Sequence, residues 1–230
     1  MANIIHIETS TEVCSAALTS EGAILEHYEH FEGQNHATLL SGFIKGCLDH
    51  LNRHDMKLDA VAVSLGPGSY TGLRIGLSEA KGLAYALDVP LIGIDTLQLM
   101  ACSVMFSQPE VSESVMFAPM IDARRMEVYT GVYDLALQPL SAPAPLILDS
   151  ESYKEWLDKG EVLFFGNGSD KARDVITHPN ARFIADVKPL AVDMLALAER
   201  AWRNGEFIDR AYSVPTYLKE FQATKPKKLF

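Results

Sequence analysis

The chain has 230 residues, 48% of them hydrophobic, and 20 basic against 30 acidic side chains, a net charge of −10. That length suits one large domain or two lobes, and so acidic a chain repels phosphate backbones and is by itself a poor nucleic-acid binder. No apolar run reaches the roughly 18 residues of a membrane span, and the opening Met-Ala-Asn-Ile-Ile-His-Ile-Glu lacks the basic start of a signal peptide, so a cytoplasmic protein is expected.

Three strands are predicted first, over residues 4–7, 13–19 and 23–30. A helix follows over 36–51, with Asn35 as its cap and a broad apolar face that includes Leu39, Leu40, Phe43 and Cys47. Residues 59–64 form a fourth strand, a glycine turn and helix come next, and 90–94 form a fifth strand. Asp95 or Thr96 then caps a helix that runs to about residue 105. The second half repeats this order: strands at 115–121, 127–133 and near 145–148, a helix at 151–159, a strand at 161–165, a helix at 169–177, a strand at 182–185 and a helix at 190–204. The proline-rich stretch 139–145 reads as an irregular connection. Two lobes are therefore expected, 1–105 and 106–230, facing each other across a cleft.

The most specific segment is residues 64–76, Ser-Leu-Gly-Pro-Gly-Ser-Tyr-Thr-Gly-Leu-Arg-Ile-Gly. A strand, a glycine turn and a helix start can hold an anion or serve only as a tight turn. The segment has no Walker A spacing, and Thr71 stands where the third glycine of a dinucleotide fingerprint belongs. Along the helix, Gly72, Gly76, Ala80 and Ala84 form one stripe of small residues, flanked by Leu73. Each helical glycine costs about 1 kcal/mol relative to alanine, so some other backbone comes close. That neighbour is either the lobe's own sheet or a partner helix.

Cys14, Cys47 and Cys102 are odd in number and widely spaced, which indicates neither a zinc site nor a disulfide framework and points to buried thiols. The histidines include no His-Glu-x-x-His set. His36 reads as a polar surface residue, and His50 with His54 as an exposed helix end. Lys225, Lys227 and Lys228 read as a solvated tail.

Residues 64–76 resemble the signature of the TsaB (YeaZ) family. Ile-Glu-Thr-Ser-Thr-Glu-Val-Cys-Ser-Ala-Ala-Leu from Ile7 is similar to its first hairpin, Ile-Asp-Ala-Arg-Arg-Met-Glu-Val-Tyr from Ile121 to its second-lobe opening, and Pro215-Thr216-Tyr217-Leu218 to its ending. The resemblance implies an α/β, actin-like (ASKHA) fold of duplicated ribonuclease H-like βββαβαβα halves. It implies a non-catalytic role in making N6-threonylcarbamoyladenosine in tRNA, by binding and activating the TsaD-type transferase with a TsaE-type ATPase assisting. It also implies that tRNA is met only through the complex. A further reading is a homodimer in isolation, in which the small-residue stripe and the Leu39/Phe43/Cys47 face pair with themselves when the transferase is absent.

In that frame, Glu8, Ser10, Thr11, Asp122, Gly166 and Gly168 mark a weak ADP or ATP site at the cleft, with no cofactor required. Leu39, Leu40, Phe43, Cys47, Gly72, Leu73, Gly76, Ala80 and Ala84 mark the partner interface. Two departures stand out. TsaD-like members carry His-x-x-x-His on the first long helix, whereas Leu40 follows His36 here, so no metal is expected. Glu8 replaces the usual Asp. The alternative is an actin-like nucleotide hydrolase or kinase, or an M22-type metallopeptidase, acting alone.

Overall fold

The computed structural model describes residues 2–33, 35–108 and 110–219. Its first half contains β1 (Ile4–Glu8), β2 (Cys14–Ser20), β3 (Ala23–His30), α1 (His36–Arg53), β4 (Ala60–Gly66), α2 (Tyr70–Ala86), β5 (Leu91–Asp95) and α3 (Thr96–Ser107). The second half contains β6 (Met116–Asp122), β7 (Glu127–Tyr133), β8 (Pro139–Ile147), α4 (Lys154–Leu157), β9 (Val162–Phe165), α5 (Ser169–Arg173), β10 (Ala181–Ile184), a 3-10 turn (Ala191–Met194) and α6 (Leu195–Asn204).

The two sheets are twins. Strand order is β3-β2-β1-β4-β5 in one and β8-β7-β6-β9-β10 in the other. In each, the first strand pairs antiparallel with the second and parallel with the fourth, through Ile4↔Thr19 and Ile4↔Ala60 in one lobe and Met120↔Thr130 and Met116↔Val162 in the other. Glu8 and Asp122 end β1 and β6 and so occupy equivalent places. This is the duplicated ribonuclease H-like, actin-like architecture.

Alternation along β1 splits the core into layers. Ile5 and Ile7 join Leu40, Cys47, Leu77, Ala80 and Ala84 beneath α1 and α2. Ile4, on the other face, joins a layer shared by both sheets, in which α3 and α6 pack against Phe117, Leu163 and Phe165. Enclosure between two sheets explains why α3 is apolar nearly all round. Asp95 caps it, its Oδ1 accepting from the Gln98 N–H at 2.8 Å.

Several local expectations are corrected. Residues 139–147 form an edge strand, paired to β7 with register shifts at Thr130–Tyr133, a position where Pro139, Pro143 and Pro145 need donate nothing to a neighbour. The helices expected over 151–159 and 169–177 shorten to α4 and α5, and the last helix opens with a 3-10 turn. Asn35 caps α1 only through its carbonyl, which accepts from the Thr38 and Leu39 N–H groups at 3.0 Å. All three cysteines are free and buried. No helix among the described residues is long and apolar enough to cross a membrane. Lys225, Lys227 and Lys228 lie outside the described residues.

Candidate functional site

A cleft opens between the lobes at the carboxyl ends of β1 and β6. Ser10 and Thr11 line it from the first lobe, the Asp122–Glu127 turn from the second, and Asn167 sits at its base. The Asn167 side-chain amide reaches across it to Glu12 Oε2 at 3.4 Å.

The glycine turn beside this cleft is built around the chain's own first loop. A Cβ on Gly68 would overlap Ser10, one on Gly72 the Thr9 carbonyl and one on Gly76 the Thr9 hydroxyl. The Ser69 N–H donates to Ser10 O at 2.6 Å, and the Thr9 hydroxyl donates to Gly72 O at 2.8 Å. The Ser69 hydroxyl caps the helix by accepting from the Gly72 N–H at 3.2 Å. Every close approach that the glycines permit is thus taken within the lobe.

Gly72, Leu73, Gly76, Ala80 and Ala84 are buried on the inner face of α2, and Leu40 and Cys47 on the inner face of α1, so the small-residue stripe is packed against its own lobe. Leu39 and Phe43 remain half-buried, with Phe43 stacked on Tyr28 at 5.6 Å.

Of the two strand-end carboxylates, one is withdrawn from the cleft and the other reaches it in an ion pair. Glu8 is completely buried, and its Oε1 accepts from the Ser10 N–H at 2.5 Å. The Ser10 and Ser64 hydroxyls lie beside it, yet Oε2 has no hydrogen-bond partner. Burial pushes the Glu8 carboxyl up to about 7 against these hydrogen bonds, and the neighbouring Asp193 adds to the rise. Asp193 is itself raised to about 6, chiefly by burial.

Asp122 reaches the cleft but is clamped by the Lys171 ammonium, which also donates to Arg125 O at 2.8 Å and Glu127 O at 2.5 Å. Gly166 is half-buried and Gly168 buried. A Cβ on Gly166 would strike Met120 O and one on Gly168 would crowd Val128, while Asn167 between them accepts from the Asp122 N–H at 2.9 Å. Of the expected nucleotide residues, Thr11 is part-exposed at the cleft without an ion pair, whereas Ser10 is buried with its hydroxyl beside Glu8. The residues present therefore do not fit a metal–nucleotide complex organised by the strand-end carboxylates.

His36 is not a surface residue. It is buried, and its Nε2 donates to Thr11 O and Val13 O, each at 3.1 Å. Leu40, one helical turn on, is buried in the core. Among the described residues no group of three His, Cys, Asp or Glu is placed to hold a metal. His50 is half-buried and meets Glu26 through Nδ1 at 2.8 Å, so only His54 is an exposed helix end.

The sequence did not single out Lys171, and it marked the final segment only through Pro215-Thr216-Tyr217-Leu218, without its anchors. From Ile208, whose N–H donates to Leu91 O at 2.8 Å, the chain runs back over α2. Lys81 donates to the Ala211 and Ser213 carbonyls at 2.8 and 2.9 Å, the Thr216 N–H donates to Leu65 O at 2.7 Å, and Arg74 Nε donates to the Tyr217 hydroxyl at 2.9 Å. Lys219 then reaches Glu127 on the other lobe at 2.5 Å. The Pro-Thr-Tyr-Leu ending was the available signal, since its Thr and Tyr make two of these anchors.

Twinned sheets around a shared helical layer, with equivalent carboxylates at the cleft, define a two-lobed protein of the actin-like class. The family model described as "TsaD: tRNA N6-adenosine threonylcarbamoyltransferase" matches residues 30–201. The chain is 29% identical over 229 residues to the tRNA threonylcarbamoyladenosine biosynthesis protein TsaB of Escherichia coli K12, covering 96% of each, and 33% identical over 178 residues to that of Bacillus subtilis 168, covering 75% of this chain and 74% of the relative. The solved structure of YeaZ from Pseudomonas aeruginosa superposes with a TM-score of 0.80 at 30% identity, over 95% of this chain and all of that one. The chain belongs to the TsaB family, related to TsaD, of tRNA threonylcarbamoyladenosine biosynthesis.

Proposed function

We propose that this chain is the non-catalytic subunit of the tRNA N6-threonylcarbamoyladenosine machinery, which binds and activates a TsaD-type transferase. A TsaE-type ATPase joins the assembly, and the chain pairs with itself when the transferase is absent. The observation that carries the non-catalytic reading is the fate of the twin carboxylates: Glu8 is sealed beneath the first loop and Asp122 is held by Lys171. A general base or metal ligand must reach its substrate; Glu8 does not, and Asp122 faces the cleft already paired with the Lys171 ammonium. With His36 committed to backbone carbonyls, the chain needs neither metal nor nucleotide of its own. The outer faces of α1 and α2, where Leu39 and Phe43 approach the surface, are the proposed contact with the transferase.

The test combines the purified chain with its TsaD-type partner and follows tRNA modification and ATP hydrolysis. Modification that requires both chains, with no turnover by this chain alone, is the expected result. Steady ATP hydrolysis by the isolated chain, lost on Asp122→Ala, would overturn the reading.

A further inference from the structure

Two segments stand out in the sequence, residues 64–76 and the Pro215-Thr216-Tyr217-Leu218 ending, and although far apart in the chain they meet in the fold. Gly66 has φ 108°, and a Cβ there would lie 3.0 Å from the Thr216 carbonyl oxygen, so glycine is what lets the final segment approach this turn. The Thr216 N–H donates to Leu65 O at 2.7 Å, and the Tyr217 hydroxyl accepts from Arg74 Nε at 2.9 Å. The Tyr217 ring lies against Tyr70 with centroids 5.1 Å apart, and the Arg74 guanidinium sits over the Tyr70 ring at 4.2 Å. Leu65, Gly66, Tyr70 and Arg74 thus form a seat for the chain's own final segment, which neither a phosphate loop nor a bare turn requires.

Past that seat the segment walls the cleft. Thr216, Tyr217, Leu218 and Lys219 line it, and the Lys219 ammonium crosses to Glu127 on the second lobe at 2.5 Å. The other carboxylate beside that turn, Asp122, is already taken by Lys171. The two ends of the segment are held unequally. The first-lobe end has hydrogen bonds, a ring contact and a glycine shaped to it. The second-lobe end has an ion pair whose Lys219 side chain is 38% exposed. A pair open to water is weak and is screened by salt. The contact from the Asn167 amide to Glu12, at 3.4 Å, is long for a hydrogen bond and adds little across the same gap.

We propose that residues 208–219 are a clasp on the cleft. Residues 64–76 seat it on the first lobe, and the Lys219–Glu127 pair closes it on the second. Screening or removal of that pair lets the lobes part at the cleft mouth. The apolar layer shared by both sheets holds them together at the base, because its contacts do not depend on charge. The clasp stands on this geometry and is independent of the function proposed above.

The experiment measures the distance across the cleft in the full chain. Nitroxide labels go on Thr38→Cys in α1 and Asp170→Cys in α5, both exposed positions, while the three native thiols are buried. Labelled chain is diluted into unlabelled chain, so that only distances within one molecule are read. A short, narrow distribution is expected in low salt. It should lengthen by several ångströms and broaden at about 1 M salt, where the screening length falls to about 3 Å. Lys219→Met and Glu127→Gln are expected to show the long, broad distribution at every salt concentration, and Lys219→Arg to behave as the unaltered chain. Tyr217→Ala and Arg74→Met keep the Lys219–Glu127 charges but loosen the seat, and are expected to open the cleft in low salt too. All these positions are at least partly exposed, and a cooperative melt shows that each variant is folded. A short distribution that neither salt nor Lys219→Met nor Glu127→Gln changes overturns the clasp. A distribution that Lys219→Met lengthens, but that neither Tyr217→Ala nor Arg74→Met does, also overturns it, because the ion pair then holds without the seat.

Discussion

The Lys171 ammonium sits on the Asp122 carboxylate and joins it to the Arg125 and Glu127 carbonyls, so one side chain closes the end of the second sheet. Lys171 is the third residue of α5, which follows β9 as α2 follows β4; the third residue of α2 is Gly72, so the first lobe has no side chain at the equivalent place. There the equivalent carboxylate, Glu8, is buried without a cation. Two lobes of one topology thus dispose of the same carboxylate differently.

Lys171→Met is expected to destabilise the chain by roughly 1–3 kcal/mol, because hydrogen bonds to a charged group are lost and two carbonyls lose a donor. At about 2–4 °C per kcal/mol for a chain this long, calorimetry should show a clear fall in Tm. Adding Asp122→Asn to Lys171→Met should cost less than the sum of the two single changes, since both remove one interaction.

The α2 glycines divide sharply. Gly76→Ala drives a methyl into the Thr9 hydroxyl and is expected to cost about 1–3 kcal/mol. Gly82 is exposed on the same helix, and a methyl there would meet nothing within 4 Å, so Gly82→Ala should stabilise by roughly 0.5–1 kcal/mol. Ala80→Trp should collapse the melt, because Ala80 is fully buried beneath its own sheet. Melts of opposite sign for Gly76→Ala and Gly82→Ala check the packing. An unchanged melt for Gly76→Ala would mean that α2 can move away from β1.

The twin topology was legible because each half writes the same alternation of short apolar runs and longer amphipathic stretches, and because Ile7-Glu8 and Ile121-Asp122 mark equivalent strand ends. The neighbour of the glycine stripe was not legible. A four-residue repeat reports that a backbone is close, and the backbone proved to be Thr9 and Ser10 rather than another chain. Nor could the spacing show which way Glu8 turns, since a strand end serves a cleft and an interior equally. The segment after α6 lacks any period, because its contacts are single anchors such as Thr216 to Leu65 and Tyr217 to Arg74. β8 was hidden by its prolines, which suit an edge as well as a loop.

His36 gives a test of structural against metal-binding roles. His36→Ala leaves the Thr11 and Val13 carbonyls without their buried donor, for an expected loss of about 1–3 kcal/mol. A chelator should leave the melt of the unaltered chain unchanged. A fall in Tm on chelation that His36→Ala abolishes would show that the imidazole holds a metal.

Glu8 sets a pH dependence whose sign is opposite to that of a salt-bridged carboxylate. Its folded-state value of about 7 lies above the ordinary 4.5. Between those values the folded chain binds the proton more tightly than the unfolded one, so stability falls as pH rises. Below 4.5 the carboxyl is neutral in both states and costs nothing; above 7 the full penalty, roughly 3 kcal/mol from a shift of this size, is present. Asp193, raised from 3.8 to about 6, acts with the same sign in a lower window. Melts from pH 5 to pH 8 should therefore decline, and the decline above pH 6 belongs mainly to Glu8. Glu8→Gln keeps the shape, stays neutral and offers its amide to the Ser10 and Ser64 hydroxyls, so it should flatten the profile above pH 6 and be more stable than the unaltered chain at pH 8. At pH 5 the two should melt within about 1 kcal/mol of each other, as expected for one neutral group exchanged for another. A Glu8→Gln profile that still falls between pH 6 and pH 8 as steeply as the original would show that Glu8 is ionised in the folded chain, with a cation or solvent reaching Oε2.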